Sequence, residues 1–355
     1  MKKIKLGDVC KFVEERISVS VLDKSNYIST ENLLPNKNGI TFANSLPPAE
    51  NTKKFCSGDI LISNIRPYFK KIWYAIFDGG CSNDIFVLRA NNNIYPKFLY
   101  YALSEDNFFD FATKSAKGTK MPRGNKNSLI NYPIPILSLE VQKQIGNFLY
   151  SLDQKISLNK KINATLEEMA KTIFLHKFFR KPTNGKISDI LVENEKSAIS
   201  VGEAKNSGGD FPFFTSGENI LRWNEKLVDG RNIFLNDGGN VGIKFYVGAA
   251  AYSTHTYCIT AKDNFADFLY LTLKIFESEI EKRFFTGTGL KNLRKDLLKD
   301  FAIYIPTQAE LKNFNSAVQP CFDTISKNFR ENNLLENLRD FLLPMLMNEQ
   351  VAFDN

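Results

Sequence analysis

Histidine is nearly absent from this 355-residue chain: His176 and His255 are the only two. Two histidines make a metal site built on imidazoles improbable. His176 is expected late in a helix, near its end, and His255 in a strand-like run. Cysteine is scarce and unpaired in pattern. Cys10, Cys56, Cys81, Cys258 and Cys321 are odd in number and widely spaced, with no CxxC among them. That argues against a disulfide framework and fits free thiols in a reducing compartment. No apolar run is long enough to span a bilayer, so no membrane association is expected. Met1 to Asp8 carry charge but no apolar stretch of the signal-peptide kind, and a cytoplasmic location is the expectation.

Motifs for catalysis are missing as well. No GxxxxGK[ST] phosphate loop occurs. Gly238-Gly239-Asn240-Val241-Gly242 is glycine-rich, but reads as a tight strand-to-strand turn. Asn131-Tyr132-Pro133-Ile134-Pro135 only superficially resembles the NPPY motif of an adenine methylase, with no cofactor motif beside it. Asp189 with Glu203-Ala204-Lys205 fits a nuclease carboxylate–lysine pattern loosely, and such patterns arise often by chance. The expectation is a chain with no catalytic residue, no metal and no cofactor.

What the chain has is a globular composition, with 43% hydrophobic and 24% charged residues, and a formal net charge of +7. This basic bias permits a nucleic-acid partner without requiring one. It also has an internal repeat. Lys5-Leu6-Gly7-Asp8-Val9 returns as Lys186-Ile187-Ser188-Asp189-Ile190, and Phe98-Leu99-Tyr100 returns as Phe268-Leu269-Tyr270. The offset then settles at 169: Gly118-Thr119 matches Gly287-Thr288, Leu129 matches Leu298, and Ile134 and Ile136 match Ile303 and Ile305. A constant offset over so many positions marks two copies of one unit.

Each copy divides in two. The first stretch is rich in short β-type runs bounded by Gly, Asn and Asp, such as Asp59–Ser63, Ile85–Leu88, Asn232–Leu235 and Tyr257–Thr260. Helices are expected at Pro96–Ser104 and Phe265–Phe276. The second stretch is helical. From Leu139 to Phe179 there is no proline and only one glycine, Gly146. Ile145, Leu149, Leu152, Ile156, Asn159, Asn163 and Leu166 form a seam at alternating spacings of four and three, continued by Met169 and Ile173. Phe314, Val318, Cys321, Ile325, Asn328, Asn332 and Leu335, continued by Leu338 and Leu342, repeat it 169 residues on. The two helices are expected to pack on each other as a coiled coil, with Pro320 a candidate kink. The fold class is thus α+β: two similar mixed α/β domains separated by two long antiparallel helices. The expected boundaries are 1–138, 139–181, 182–307 and 308–350, with Lys181-Pro182-Thr183-Asn184-Gly185 the clearest break.

Each copy also carries a basic loop with glycine, Lys114–Asn127 and Thr286–Lys295. Lysine and arginine neutralise phosphates, and threonine and asparagine can bond phosphates or base edges. Recurrence at matching places makes Lys117, Thr119, Lys120, Arg123 and Lys126, and Thr288, Lys291, Asn292, Arg294 and Lys295, candidate DNA contacts. Arg66 and Lys70 add a basic-aromatic segment, whose counterpart has only Lys244.

The order of these features resembles the specificity subunit of type I restriction–modification systems. The resemblance rests on Leu6-Gly7-Asp8-Val9, Ser57-Gly58-Asp59-Ile60-Leu61, Asn131-Tyr132-Pro133-Ile134-Pro135-Ile136, Glu140–Ile145, Leu152-Asp153-Gln154-Lys155-Ile156 and Leu338–Pro344. It covers nearly the whole chain. It implies two target-recognition domains, each reading one half of a bipartite site on double-stranded DNA, and two helices that set the spacer. It also implies two DNA-adenine methylase subunits docked on those helices, and room for restriction or translocase subunits. Two other readings stay open: a specificity component of a fused or type IIB-like system, and a coiled-coil interaction scaffold that does not touch DNA.

Overall fold

A computed structural model describes residues 2–118, 120–287, 289 and 291–351. The chain forms two compact units: Met1–Ile156 with Leu334–Asn355, and Ser157–Asn333. Each therefore contains part of both long helices.

In the first unit, strand Ile60–Ser63 lies at the heart of a four-stranded antiparallel sheet. The strand order is Cys10–Phe12, Ile85–Ala90, Ile60–Ser63, Ile72–Tyr74. All four residues of the central strand are buried, and they alternate between two cores. Ile60, Ile62 and Leu88 join the core that holds helices Pro96–Ser104 and Asp106–Lys114. Leu61, Ile85 and Val87 join the core beneath the second sheet. That sheet orders Arg16–Ser18, Asn51–Phe55, Gly79–Cys81 and Tyr27–Ile28, the last pair being parallel. Gly79 must be glycine, because a Cβ there would lie 2.1 Å from the Asn26 carbonyl oxygen. Arg89 forks onto Asp59 with two 2.8 Å bonds, which pairs a carboxylate that is almost wholly buried.

The second unit repeats this order. Its four-stranded sheet runs Leu191–Glu193, Thr256–Ala261, Arg231–Asn236, Ile243–Val247. Ile259 lies opposite Ile233 as Leu88 lies opposite Ile60. Its second sheet has three strands, Leu221–Trp223, Phe211–Phe214 and Ala251–Tyr252, with the last pair again parallel. Helices Ala266–Ile275 and Glu277–Phe284 cover the first sheet. In both units the first and last short strands pair: Lys3–Lys5 with Pro133–Pro135, and Gly185–Lys186 with Ala302–Ile303.

The long helices are Leu139–Phe178 and Gln308–Met347, 40 residues each, with both ends related by the 169-residue offset. Ser138 and Thr307 begin them. Each side-chain oxygen accepts from the backbone amide three residues on, Val141 and Glu310. Within the second unit the two helices run antiparallel, with Asn159 beside Asn332 and Phe178 beside Phe314. Within the first unit Asp153 pairs with Arg339 at 2.7 Å, and Ile145 and Leu149 share a core with Leu343, Leu346 and Met347.

Pro320, the candidate kink, lies inside helix Gln308–Met347, which continues through it. It is exposed, as is Ser316, whose carbonyl loses its amide donor to the proline and can be hydrated instead. Two expectations need correction. The seam does not run unbroken. Met169 and Leu338 are 50% and 43% exposed, while Ala170, Phe174 and Phe178, spaced by four, are buried in the core of the second unit. An α-helix drifts off a strict 3.5-residue repeat, so the buried face shifts from the expected seam onto the α/β core, where Phe174 and Phe178 also meet Phe314 of the partner helix. Finally, His255 lies in the turn before strand Thr256–Ala261 rather than in a strand.

Candidate nucleic-acid interface

The two basic loops are each strapped onto the end of the central sheet strand, in the same way in both units. In the first unit Asn64 follows that strand. Its amide donates to the Asp84 carbonyl at 2.8 Å, and its carbonyl accepts from Gly124 at 2.9 Å. Arg66 donates from its amide to the Pro122 carbonyl at 2.8 Å, and Ile65 pairs with Arg123. In the second unit Asp237 donates to the His255 carbonyl at 3.0 Å and accepts from Leu293 at 3.0 Å. Gly239 donates to Lys291 at 2.8 Å, and Gly238 pairs with Asn292. Three segments thus converge twice: a strand end, the turn before the neighbouring strand, and the basic loop. Their backbone bonds fix where the side chains emerge.

The first loop closes on itself as well. Lys117 and Arg123 exchange two 2.9 Å backbone bonds, and Gly118 takes a φ of +98° inside the turn that results. Arg66, Lys117, Lys120 and Arg123 are exposed. The Arg123 guanidinium lies 3.2 Å from Asp84, whereas Arg66, Lys117 and Lys120 have no ion-pair partner among the described residues. Lys126 stands at the margin, paired with Glu14 at 2.6 Å and over the Phe12 ring. Lys70 is committed elsewhere. It shares Asp106 with Lys37, at 2.9 and 3.1 Å.

In the second unit Lys291 and Asn292 are exposed at the strap. Lys295 reaches Asp237 at 3.3 Å and lies 4.4 Å from the Tyr257 ring centroid. Arg294 folds back on Asp296 at 2.7 Å. Lys244 is not brought to the strap: its ammonium donates to the carbonyls of Thr215 and Gly217 at 2.8 and 2.6 Å, and burial lowers its pKa. Thr119 and Thr288 lie outside the described residues.

Sequence reasoning missed Asp84 and His255. They hold equivalent places, each just before a buried strand, and His255 is exposed while its carbonyl accepts from Asp237 and from the Ser216 hydroxyl. The signal was there in the turn residues Ser82-Asn83-Asp84 and Ser253-Thr254-His255 ahead of matching apolar runs.

A family model described as the type I restriction modification DNA specificity domain matches residues 1–168 and 182–337. The chain belongs to this family. The two matches give the specificity domain twice, one for each copy of the repeat. The type I restriction enzyme HindI specificity subunit of Haemophilus influenzae is 30% identical over 185 residues, covering 49% of this chain and 39% of that protein. The chain thus spans about two-fifths of that relative. The MjaIX specificity subunit of Methanocaldococcus jannaschii is 23% identical over 347 residues, covering 82% and 77%. The crystal structure of a type I restriction-modification system S subunit from M. genitalium superposes with a TM-score of 0.66 at 15% identity, covering all of this chain and 96% of that one. That likeness shows a shared fold. Among the described residues, no helix is long and apolar enough to cross a membrane.

Proposed function

We propose that this chain reads a two-part sequence on double-stranded DNA and leaves the chemistry to its partners. The observation that carries this reading is the strap. One backbone arrangement holds a basic loop in each unit, yet the side chains differ: Arg66, Lys117, Lys120 and Arg123 in one, Lys291, Asn292 and Lys295 in the other. One scaffold with two sets of side chains suits two unlike half-sites, with lysine and arginine on phosphates and the loop tips on base edges. Lys126 and Arg294 flank these sets, and Lys70 and Lys244 stand outside them.

Regions 1–138 and 182–307 would be the two target-recognition domains. Helical regions 139–181 and 308–350 would set the spacer and dock two DNA-adenine methylase subunits, with restriction or translocase subunits joining the complex. No catalytic residue is assigned to this chain, and its place of work is the cytoplasm, where DNA and methylases meet.

The test is selection from random duplexes by the purified chain with its methylase partners. Two short motifs at a fixed spacing are expected. Replacing Lys117 and Arg123 by alanine should alter or weaken one motif and leave the other unchanged. A single continuous motif, or no enrichment, would overturn the reading.

A further inference from the structure

The first unit carries something at its strap that the second lacks. Directly after Arg66 the chain makes a short 3-10 turn, Pro67–Phe69. Pro67 is buried, but Tyr68 and Phe69 are 48% and 39% exposed, with ring centroids 4.7 Å apart. Met121, next to the strapped Pro122, is 47% exposed. In the second unit Gly239, which donates to the basic loop as Arg66 does, is followed by Asn240 and Val241, with no aromatic residue.

The aromatic turn is held rigidly. Arg66 and Lys70, at its two ends, adopt φ of 51° and 52°, a left-handed conformation that costs non-glycine residues free energy. Such strain persists only where the surroundings over-determine it. Here the surroundings are the Arg66 amide on Pro122, the Phe69 carbonyl accepting from Asn36 at 2.8 Å, and the Lys70 carbonyl accepting from Lys37 at 2.9 Å. The ammonium groups of Lys37 and Lys70 are then clamped on one carboxylate, Asp106. Two large rings are thereby kept in water, on a turn whose backbone bonds are already made, which lowers the ordering cost of binding.

Resting on the DNA-reading function proposed above, we infer that the turn Arg66–Lys70 is an aromatic wedge, whose Tyr68 and Phe69 rings insert against an unstacked base step in one half-site. The neighbouring charges choose this occupant. Arg66 begins the turn, and its amide bonds to Pro122 in the loop that also carries Lys117 and Lys120. These three exposed cations have no ion-pair partner among the described residues, which suits a phosphate backbone beside exposed base faces. Only the half-site read by the first unit is unstacked in this way. Specificity there includes the ease of opening that step, as well as base-edge contacts.

The test uses the chain with its methylase partners and a duplex carrying its selected two-part site. 2-Aminopurine is placed in turn along the first half-site, at positions other than the methylated adenine. Wild type should brighten the probe at one step. The double variant Tyr68→Ala/Phe69→Ala should abolish that rise and weaken binding by about tenfold or more, given the usual contribution of base–aromatic stacking. Selection of the second motif by this variant should be unchanged, which shows that it is folded. Tyr68→Phe, which keeps the ring, should retain the signal. If wild type selects a two-part site but brightens no step, the wedge is overturned and the DNA-reading function stands. A rise that survives the double variant also overturns the wedge. If wild type selects no two-part site, both fail.

Discussion

Asn159 in the first long helix donates a hydrogen bond to Asn332 in the second across 2.9 Å, and Asn328 donates one to Asn163 across 2.8 Å. The repeat relates Asn159 to Asn328 and Asn163 to Asn332, so each bond is the counterpart of the other under the 169-residue offset. Amide pairs in an apolar seam bond well in one register only. Asn159→Ala leaves the buried Asn332 oxygen without this donor and also removes a bond to Glu331. It should destabilise the protein by about 1–3 kcal/mol, read as a lower denaturation midpoint. The double replacement Asn159→Leu/Asn332→Leu should cost less than the single one, because neither partner is then left unpaired. A single variant as stable as wild type would remove the pair from the forces that set register.

The loop cations differ in what they are free to do. Arg66→Ala and Lys117→Ala should each weaken DNA binding and lower the slope of log affinity against log salt by about one phosphate contact. Arg123 is partly neutralised by Asp84, so Asp84→Asn should strengthen binding to DNA of any sequence. Titrations at several salt concentrations check all three. Unchanged slopes for Arg66→Ala and Lys117→Ala would take the strap out of the interface.

At the start of the second long helix, Glu310 accepts from the Thr307 amide and hydroxyl and from Tyr304, and pairs with Lys181. The bond from Lys181 is the main cause that lowers its pKa to about 2. A depressed carboxylate contributes stability above its unfolded value, and that contribution is lost as pH falls toward the folded value. The thermal midpoint should therefore drop between about pH 4.5 and 2, and more steeply for wild type than for Glu310→Gln. Parallel curves for the two proteins would contradict this.

Asp267 has the opposite sign. Its side chain is fully buried against Arg231, and desolvation outweighs that partner, raising its pKa to about 6. Between the ordinary carboxylate value and about 6 the folded protein holds a proton that the unfolded chain releases. Stability from this group is thus lost as pH rises through that window. Asp267→Asn should flatten the difference in denaturation midpoint between pH 4 and 7. Calorimetry at the two pH values measures it.

Elements whose local period decides their structure were legible in the sequence. The helix at Pro96–Ser104, the central strand from Ile60, and both long helices follow from proline at a helix start, β-branched runs and i, i+4 spacing. The repeat made the second copy readable from the first. Features that depend on three-dimensional closure were not legible. The strap joins residues 64–66, 84 and 122–124, which no window of sequence contains together. Asp84 and His255 carry ordinary turn chemistry and gain their place only from it. Lys244 looked like a surface cation until two carbonyls claimed it. Met169 fitted the seam in sequence, yet the helix turned its face toward the aromatic core at Phe174 and Phe178.

If the helices set the spacer as proposed, length must be added to both. One heptad inserted after Ile156 alone shifts one helix against the other. The Asp153–Arg339 and Asn159–Asn332 pairs, which lie on either side of that point in each helix, cannot then both keep register. That variant should be destabilised. A matched pair of heptads, after Ile156 and after Asn333, falls at the boundaries of the two units and leaves the contacts within each intact. Seven residues add about 10 Å of helix, or roughly three base pairs at about 3.4 Å each. Duplex selection with the matched variant should recover both motifs unchanged, with a spacer longer by about that amount. An unchanged spacer in a folded variant would show that the helices do not measure it.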